Sequence, residues 1–226
     1  MSRLGAGLAA VCAAVVCGVL TLGAVLARGQ DGSAGEQRAD NGSAGEQRAD
    51  PRLVEIDGLR TATSRTFERP DGTRVAKLYA GTVNFRDSRG RWTPVDNDLV
   101  PTAGGFRNAA NAYTLELPDS LAAEPVRVEE GAASVGFTLE GVEASARPEV
   151  NGGIAEYPDA LPGVDVRYVA EPDAVKEELV LEDAAAPTTY RYALNLSPGL
   201  EARENAAGGI SLVDSTGAVK LSFEPA

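Results

Sequence analysis

The sequence contains no histidine. Histidine is the commonest general base of enzymes and the commonest metal ligand of proteins. Its absence excludes Ser–His–Asp and Cys–His arrangements for nucleophilic catalysis. Paired carboxylates remain available, since glycoside hydrolysis requires only two acids at a suitable separation.

Cysteine is nearly absent, because Cys12 and Cys17 are the only two and both lie near the N-terminus. If that segment is removed, the remaining chain has no disulfide, no thiolate nucleophile and no cysteine metal site. Basic residues are also outnumbered, with 21 Lys and Arg against 33 Asp and Glu. This balance argues against a nucleic-acid partner and against docking on anionic lipid.

Charged residues are missing between Arg3 and Arg28, where the chain is apolar. A short basic start, an apolar core and the small-residue sequence "AVLA" predict a helical export segment over residues 1–27, cleaved after Ala27. The apolar run is longer than most signal-peptide cores, so an uncleaved membrane anchor is the alternative. Either outcome predicts export through the Sec route to the cell surface or medium.

Large apolar side chains are missing from residues 31–50, which repeat one decapeptide, "DGSAGEQRAD", with a single change at Asn41. Such a segment buries too little surface to offset its ordering entropy, so residues 28–52 are predicted to form a flexible linker. The repeat is either a spacer from the membrane or wall, or a neutral local duplication.

Residues 53–226 show short stretches in which apolar and polar residues alternate, separated by Gly, Pro, Asn and Asp. Val135, Phe137 and Leu139 share one face of a predicted strand, as do Val164, Val166 and Tyr168. Period-two alternation predicts antiparallel strands that pack as a β-sandwich or as curled sheets. Two subdomains with a break near residues 119–125 are an alternative to one domain.

Glycines in the predicted turns are expected to require positive φ. These are Gly72, Gly90, Gly131, Gly209 and Gly217. Asp71, Asp87 and Asp214 stand shortly before three of them and are typical turn-opening residues.

Two groups of acidic residues are candidate chemical sites. Asp165 with Glu177 or Glu178 would be the carboxylate pair of a hydrolase. Alternation places Asp165 away from the apolar face of its strand, which favours a structural ion pair instead. The sequence "VDNDLV", residues 95–100, offers oxygen ligands for calcium but lacks EF-hand spacing, so a turn is the alternative. We therefore predict no catalytic, cofactor-binding or metal-binding residue.

Three aromatic residues lie on consecutive candidate strands: Tyr79, Phe85 and Trp92. Ring faces bind sugar faces, so together they would form a glycan platform. The alternative is that Trp92, the only tryptophan, is buried in the core.

Four segments carry a resemblance to a known group of proteins. They are "RTATSRTF", "GTVNFRDSRGRWTPVDNDLVP", "FRNAANAYTLELP" and "YPDALPGVDVRYVAEPDAVKEELVL". Together they resemble the N-terminal β-rich region of large secreted actinobacterial proteins with RHS/YD repeats or DNRLRE modules, over residues 59–225. The resemblance implies a non-catalytic module of a longer extracellular protein.

The residues of the last segment that we expect to be structural are Asp165, Tyr168, Lys176 and Glu177, with Asp165 and Lys176 as a cross-strand pair. The overall expectation is a secreted or cell-surface structural module that is not an enzyme and needs no cofactor. A carbohydrate- or wall-binding module is the main alternative. Other extracellular β modules or a wall glycan are the expected partners, with membrane contact only through an uncleaved residues 1–27.

Overall fold

The computed structural model describes residues 14–16, 53–182 and 184–225. They form nineteen β-strands, all paired antiparallel, and one short 3-10 turn, Asp57–Leu59. The predicted all-β class is therefore confirmed. The expected export helix and the linker repeat lie outside the described residues, apart from the strand β1 (Ala14–Val16).

The chain divides between Pro94 and Val95 into two compact units. The smaller unit contains a three-stranded sheet and a separate hairpin. The sheet has the order β2-β3-β4, formed by β2 (Val54–Glu55), β3 (Ser64–Glu68) and β4 (Arg74–Leu78). The hairpin consists of β5 (Asn84–Arg86) and β6 (Trp92–Pro94).

The larger unit contains a six-stranded and an eight-stranded sheet. The six-stranded sheet has the order β16-β11-β10-β9-β8-β7. Its strands are β7 (Asp96–Thr102), β8 (Gly105–Ala110), β9 (Thr114–Pro118), β10 (Val126–Glu130), β11 (Ala133–Leu139) and β16 (Tyr192–Leu196). Residues 119–125 connect β9 to β10 within this sheet.

The eight-stranded sheet has the order β12-β13-β14-β15-β1-β19-β18-β17. Its further strands are β12 (Glu149–Asn151), β13 (Ile154–Leu161), β14 (Val164–Ala170), β15 (Ala174–Leu181), β17 (Glu201–Glu204), β18 (Ile210–Val213) and β19 (Val219–Glu224). Most neighbours in this order are consecutive hairpins, which explains the regular spacing of turn residues in the sequence.

The core of the larger unit lies between the inner faces of these two sheets. Val164, Val166 and Tyr168 are all at most 1% exposed, and the predicted shared face is confirmed. The ring of Phe137 in the six-stranded sheet lies 6.3 Å from that of Tyr168 and 5.8 Å from that of Phe223. The two layers therefore pack as a sandwich, with aromatic side chains at the interface.

Aspartates close the hairpin turns as expected. The Oδ1 atoms of Asp71, Asp87 and Asp214 each accept a hydrogen bond from the backbone N–H two residues later, at 2.8–2.9 Å. The positive φ predicted for the turn glycines is confirmed at Gly72, Gly90, Gly131 and Gly217.

The prediction is wrong at Gly209, because the residue with positive φ in that turn is Gly208. Gly209 is required for a different reason. A Cβ built there would lie 2.3 Å from the backbone oxygen of Phe223, far inside contact distance. The hairpin β18–β19 therefore needs a residue without a side chain where its backbones approach each other.

Candidate functional site

The strands β13, β14 and β15 carry the acidic and basic residues that the sequence analysis singled out. A tight turn at Gly163, with φ of 69°, joins β13 to β14. In the next hairpin, Tyr168 is opposite Glu177 and Arg167 is opposite Glu178. Because side chains alternate along strands, these two pairs lie on opposite faces of the sheet.

The inner face carries a carboxyl group inside the core. Glu177 is 3% exposed, and its two carboxylate oxygens accept hydrogen bonds from the hydroxyls of Tyr168, at 2.5 Å, and Tyr192, at 2.8 Å. Tyr168 is the cross-strand neighbour on β14, whereas Tyr192 belongs to the six-stranded sheet. Each carboxylate oxygen of Glu177 thus has a hydrogen-bond donor from the protein.

Burial raises the pKa of Glu177 to about 7, although the two tyrosine hydrogen bonds oppose this rise. Burial also raises the pKa of Tyr168 well above its ordinary value, and the neighbouring Glu177 adds to that effect. A carboxyl group with a pKa near neutrality can serve as a general acid or base. Glu177 lacks the access to solvent that a substrate would need, so its geometry supports a structural role.

The outer face carries an ion-pair network centred on Glu178. Its Oε2 contacts the guanidinium of Arg167, and its Oε1 lies 2.6 Å from Nζ of Lys176. Burial raises the pKa of Glu178, but hydrogen bonds from Lys176 and Arg167 outweigh this and hold it below the ordinary value. Two cations therefore neutralise one half-buried acid on this face.

The expected pair between Asp165 and Lys176 does not form. Asp165 is opposite Val180, and Lys176 is opposite Val169. The turn after Ala170 sets this register, which separates Lys176 from Asp165. Alternation along β15 places Lys176 on the same face as Glu178.

The carboxylate pairs considered for hydrolysis are also separated. Asp165 and Glu177 lie on opposite faces of the sheet. Glu177 is in line with the buried side chains of β15, whereas Asp165 lies between buried positions of β14. Asp165 and Glu178 share the outer face, but Glu178 is already paired with two cations. A paired acid of this kind is held ionised and oriented toward its partners.

Asp165 instead joins an acidic cluster that the sequence did not reveal. One carboxylate oxygen each from Asp159, Asp165 and Glu182 lie within 4.8 Å of one another. Asp159 has a φ of 49° at an irregularity of β13, and its backbone N–H donates to Asp165 at 2.8 Å. Oxygen ligands suit hard cations. Asp159 and Glu182 are exposed, whereas Asp165 is half-buried.

The oxygen-rich residues at the start of β7 bond to the protein itself. Oδ1 of Asp96 accepts a hydrogen bond from the backbone N–H of Asp98 at 3.1 Å. Oδ1 of Asn97 accepts one from the side-chain amide of Asn111 at 2.8 Å. Local side-chain hydrogen bonds of this type are typical of a turn, the alternative to a calcium site in residues 95–100.

The aromatic residues of the smaller unit lie on different surfaces. Trp92 is opposite Arg86, whereas Phe85 is opposite Thr93, so Trp92 and Phe85 occupy opposite faces of the β5–β6 hairpin. The guanidinium of Arg86 lies 4.2 Å from the Trp92 ring centroid. The expectation of a buried Trp92 is wrong, since the ring is half-buried. A two-stranded hairpin offers too little surface to enclose an indole.

Tyr79 follows β4 and is 39% exposed. Its backbone N–H donates to the carbonyl of Thr63 at 2.9 Å, which fixes its position beside the three-stranded sheet. Tyr79 is therefore the most accessible of the three aromatic residues of the expected platform.

No protein-family model, curated protein or solved structure matches this chain. Within the described ranges, no helix has the length and apolar character needed to cross a membrane.

Proposed function

We propose that this protein is a non-catalytic β module, exported through the Sec route, that supports or presents a larger extracellular assembly. The observation that carries the proposal is that the ionisable residues in β14 and β15 bind to other residues of the protein. Glu177 is bonded to two tyrosines inside the core, and Glu178 is paired with Arg167 and Lys176.

The composition supports the same proposal. Without histidine, and without cysteine beyond residue 17, the folded chain lacks the residues on which most catalytic sites depend. Its excess of acidic residues favours solubility outside the cell and disfavours nucleic-acid partners. Other extracellular β modules are the partners that fit a sheet-rich scaffold.

The proposal includes kinship with the N-terminal region of secreted RHS/YD-repeat or DNRLRE-module proteins. It rests on the sequence segments quoted above, including "GVDVRYVAEPDAVKEELVL". Those residues form a continuous β14–β15 hairpin whose inner face lies in the core. A module of this type would act as a rigid support for the modules that accompany it.

Export is tested by producing the full chain with a C-terminal epitope in an actinobacterial host. We expect the epitope in the medium or accessible to protease on intact cells, and a mature N-terminus at Arg28 by mass spectrometry. A cell-associated product that retains residues 1–27 would indicate the anchored form. A control lacking residues 4–26 should stay inside the cell. Retention of the full chain in the cytoplasm would refute the proposal.

A carbohydrate- or wall-binding module is the second candidate, and the accessible ring of Tyr79 with the half-buried Trp92 favours it. The Arg86 guanidinium lies over one face of the indole. The test is co-sedimentation with insoluble cell-wall polysaccharide. Retention should fall in Trp92→Ala and remain in Phe85→Ala, whose ring lies on the other face. Equal retention of both variants, with unchanged melting, would eliminate this candidate.

A further inference from the structure

The strand β16 is an edge of the six-stranded sheet, and among the described strands it pairs with β11 alone. Three of its five residues are exposed. Residues 184–191, which lead into it, form turns and bends, and a turn closed by the hydrogen bond from Leu200 N–H to the Ser197 carbonyl follows it. An edge strand between two irregular segments has few contacts to break, so we expect it to open more easily than the centre of the sheet.

A buried hydrogen bond joins β16 to the facing sheet. The hydroxyl of Tyr192, the first residue of β16, donates to Oε2 of Glu177 on β15 at 2.8 Å. The Tyr192 ring also packs edge-on against Phe137, with 6.5 Å between the ring centroids. Glu177 thus spans the two layers of the sandwich, with Tyr168 of its own sheet on one oxygen and Tyr192 of the facing sheet on the other.

The carboxyl group of Glu177 has no cation to offset its charge. Its charged neighbours on β15 lie on the outer face, and in the described part of the chain no Lys or Arg is paired with it. The titratable groups that face it are Tyr168 from β14 and Tyr192 from β16. Tyr157 of β13 packs behind Tyr168, β11 presents the ring of Phe137, and β1 contains only alanine and valine. Burial without a cation favours the neutral acid.

The protonated acid satisfies both tyrosine contacts. Its O–H can donate to one tyrosine oxygen while its carbonyl oxygen accepts from the other hydroxyl. Loss of the proton instead leaves a full charge in the core, away from water. Solvent lies close on the side of β16, because Leu194, which shares the inner face with Tyr192, is 36% exposed. Detachment of β16 would therefore hydrate the carboxylate.

We propose that Glu177 is a proton-dependent switch for β16: the protonated acid holds this strand against the eight-stranded sheet, and release of the proton shifts the edge of the sandwich toward a detached, hydrated state. The inference goes beyond the proposed function, since it adds a conformational response to the module.

The direction of the response follows from the two states of the acid. With β16 in place the pKa of Glu177 is about 7, chiefly because of burial, whereas the hydrated carboxyl of the detached state has the ordinary value of 4.5. The attached state is therefore favoured fully below pH 4.5. It becomes less favoured as the pH rises and reaches a constant lower level above pH 7.

The test is hydrogen exchange of the full chain, followed by mass spectrometry at pH 5, 6, 7 and 8. The reporters are the amides of Ala193 and Asn195. They alternate with Ser197, whose N–H donates to the Ser134 carbonyl of β11 at 2.9 Å, so they face β11 as well. The reference is β9, in the interior of the same sheet. A protection factor, the intrinsic exchange rate at each pH divided by the observed rate, removes the ordinary pH dependence of exchange.

We expect β16 to be less protected than β9 at every pH. Its protection factor should fall by at least about tenfold between pH 5 and pH 8, with most of the fall complete at pH 7. Glu177→Gln cannot ionise, so its β16 protection should stay constant. Glu178→Gln is the matched control, because this adjacent acid faces outward and hydrogen bonds from Lys176 and Arg167 hold its pKa below the ordinary value. It should retain the wild-type pH dependence.

Each outcome decides the inference. The switch is refuted if the protection of β16 does not change with pH, or if Glu177→Gln responds to pH as the wild type does. Equal protection of β16 and β9 also refutes it, since the strand would then open only when the whole sandwich unfolds. Loss of the response in Glu178→Gln would assign the effect to the outer face and refute it too. If Glu177→Gln does not fold, the wild-type profile and Glu178→Gln decide by the same criteria. None of these results changes the proposed function, which the export experiment tests.

Discussion

The buried carboxyl of Glu177 predicts that the protein loses stability as the pH rises from 5 to 8. The pKa of this group is raised from 4.5 to about 7 in the folded state, chiefly by burial. Between these values the folded state holds a proton that the unfolded chain has released. The stability linked to this proton is complete below pH 4.5 and is lost as the pH rises through 7.

The size of the effect follows from the shift. At about 1.4 kcal/mol for each pH unit between the two pKa values, the rise from 4.5 to about 7 is worth roughly 3 kcal/mol. Glu177 is 3% exposed, so solvent screens this effect little. For a chain of this size, a loss of roughly 3 kcal/mol lowers the melting temperature by about 6–12 °C. The absence of histidine removes the side chain that ordinarily titrates between pH 5 and 8.

The assay is urea unfolding, followed by circular dichroism, at pH 5 and pH 8. The substitution Glu177→Gln keeps the shape and offers both an acceptor and a donor to the two tyrosine hydroxyls. We expect its free energy of unfolding to be nearly independent of pH and to exceed that of the wild type at pH 8. Glu129→Gln, at an exposed position on β10, should retain the wild-type pH dependence. Equal pH dependence in the wild type and Glu177→Gln would refute the reasoning.

The remaining predictions concern packing, backbone and surface charge. Phe137→Ala, which removes a ring that is 3% exposed, should lower the free energy of unfolding by about 3–5 kcal/mol in urea titrations. Gly217→Ala, in open space at a φ of 83°, should cost about 1–2 kcal/mol, and Gly209→Ala should cost more because its Cβ would lie 2.3 Å from a backbone oxygen. Equal melting temperatures of the two glycine variants would contradict this. Lys176→Ala should cost less than about 1 kcal/mol, because Glu178 retains its arginine partner.

The strands of the larger unit could be predicted because each has one buried face. Val164, Val166 and Tyr168 alternate with polar residues, and the structure buries all three. The location of Glu177 was also accessible from the sequence, since it is in phase with Val175 and Leu179. An acid in such a row indicates a buried carboxyl group, but its partner Tyr168 on β14 depends on the register of the hairpin. The second partner, Tyr192, comes from another sheet and depends on tertiary packing.

Register and irregularities could not be predicted. The failure of the Asp165–Lys176 pair depends on the turn that follows Ala170, because a shift of a few residues changes every cross-strand neighbour. The acidic cluster depends on the irregular backbone at Asp159, which alternation cannot anticipate. Gly209 shows the same limit, because the need for glycine there arises from an approaching strand and not from its own φ.

The aspartate turns of the hairpins have a consequence for the medium in which the protein is most robust. Hydrogen bonds hold the pKa values of three turn aspartates below the ordinary range. They come from the hydroxyl of Thr73 at Asp71, from the backbone N–H and the guanidinium of Arg91 at Asp87, and from the hydroxyl of Thr216 at Asp214. The support that these carboxylates give is therefore present above their ordinary pKa and is lost in strong acid, whereas Glu177 weakens the core toward alkaline pH. Strong acid should open the tips of the hairpins while leaving the centre intact, and alkali should do the reverse. At mildly acidic pH, between these two limits, the hairpin turns and the core are therefore both stable.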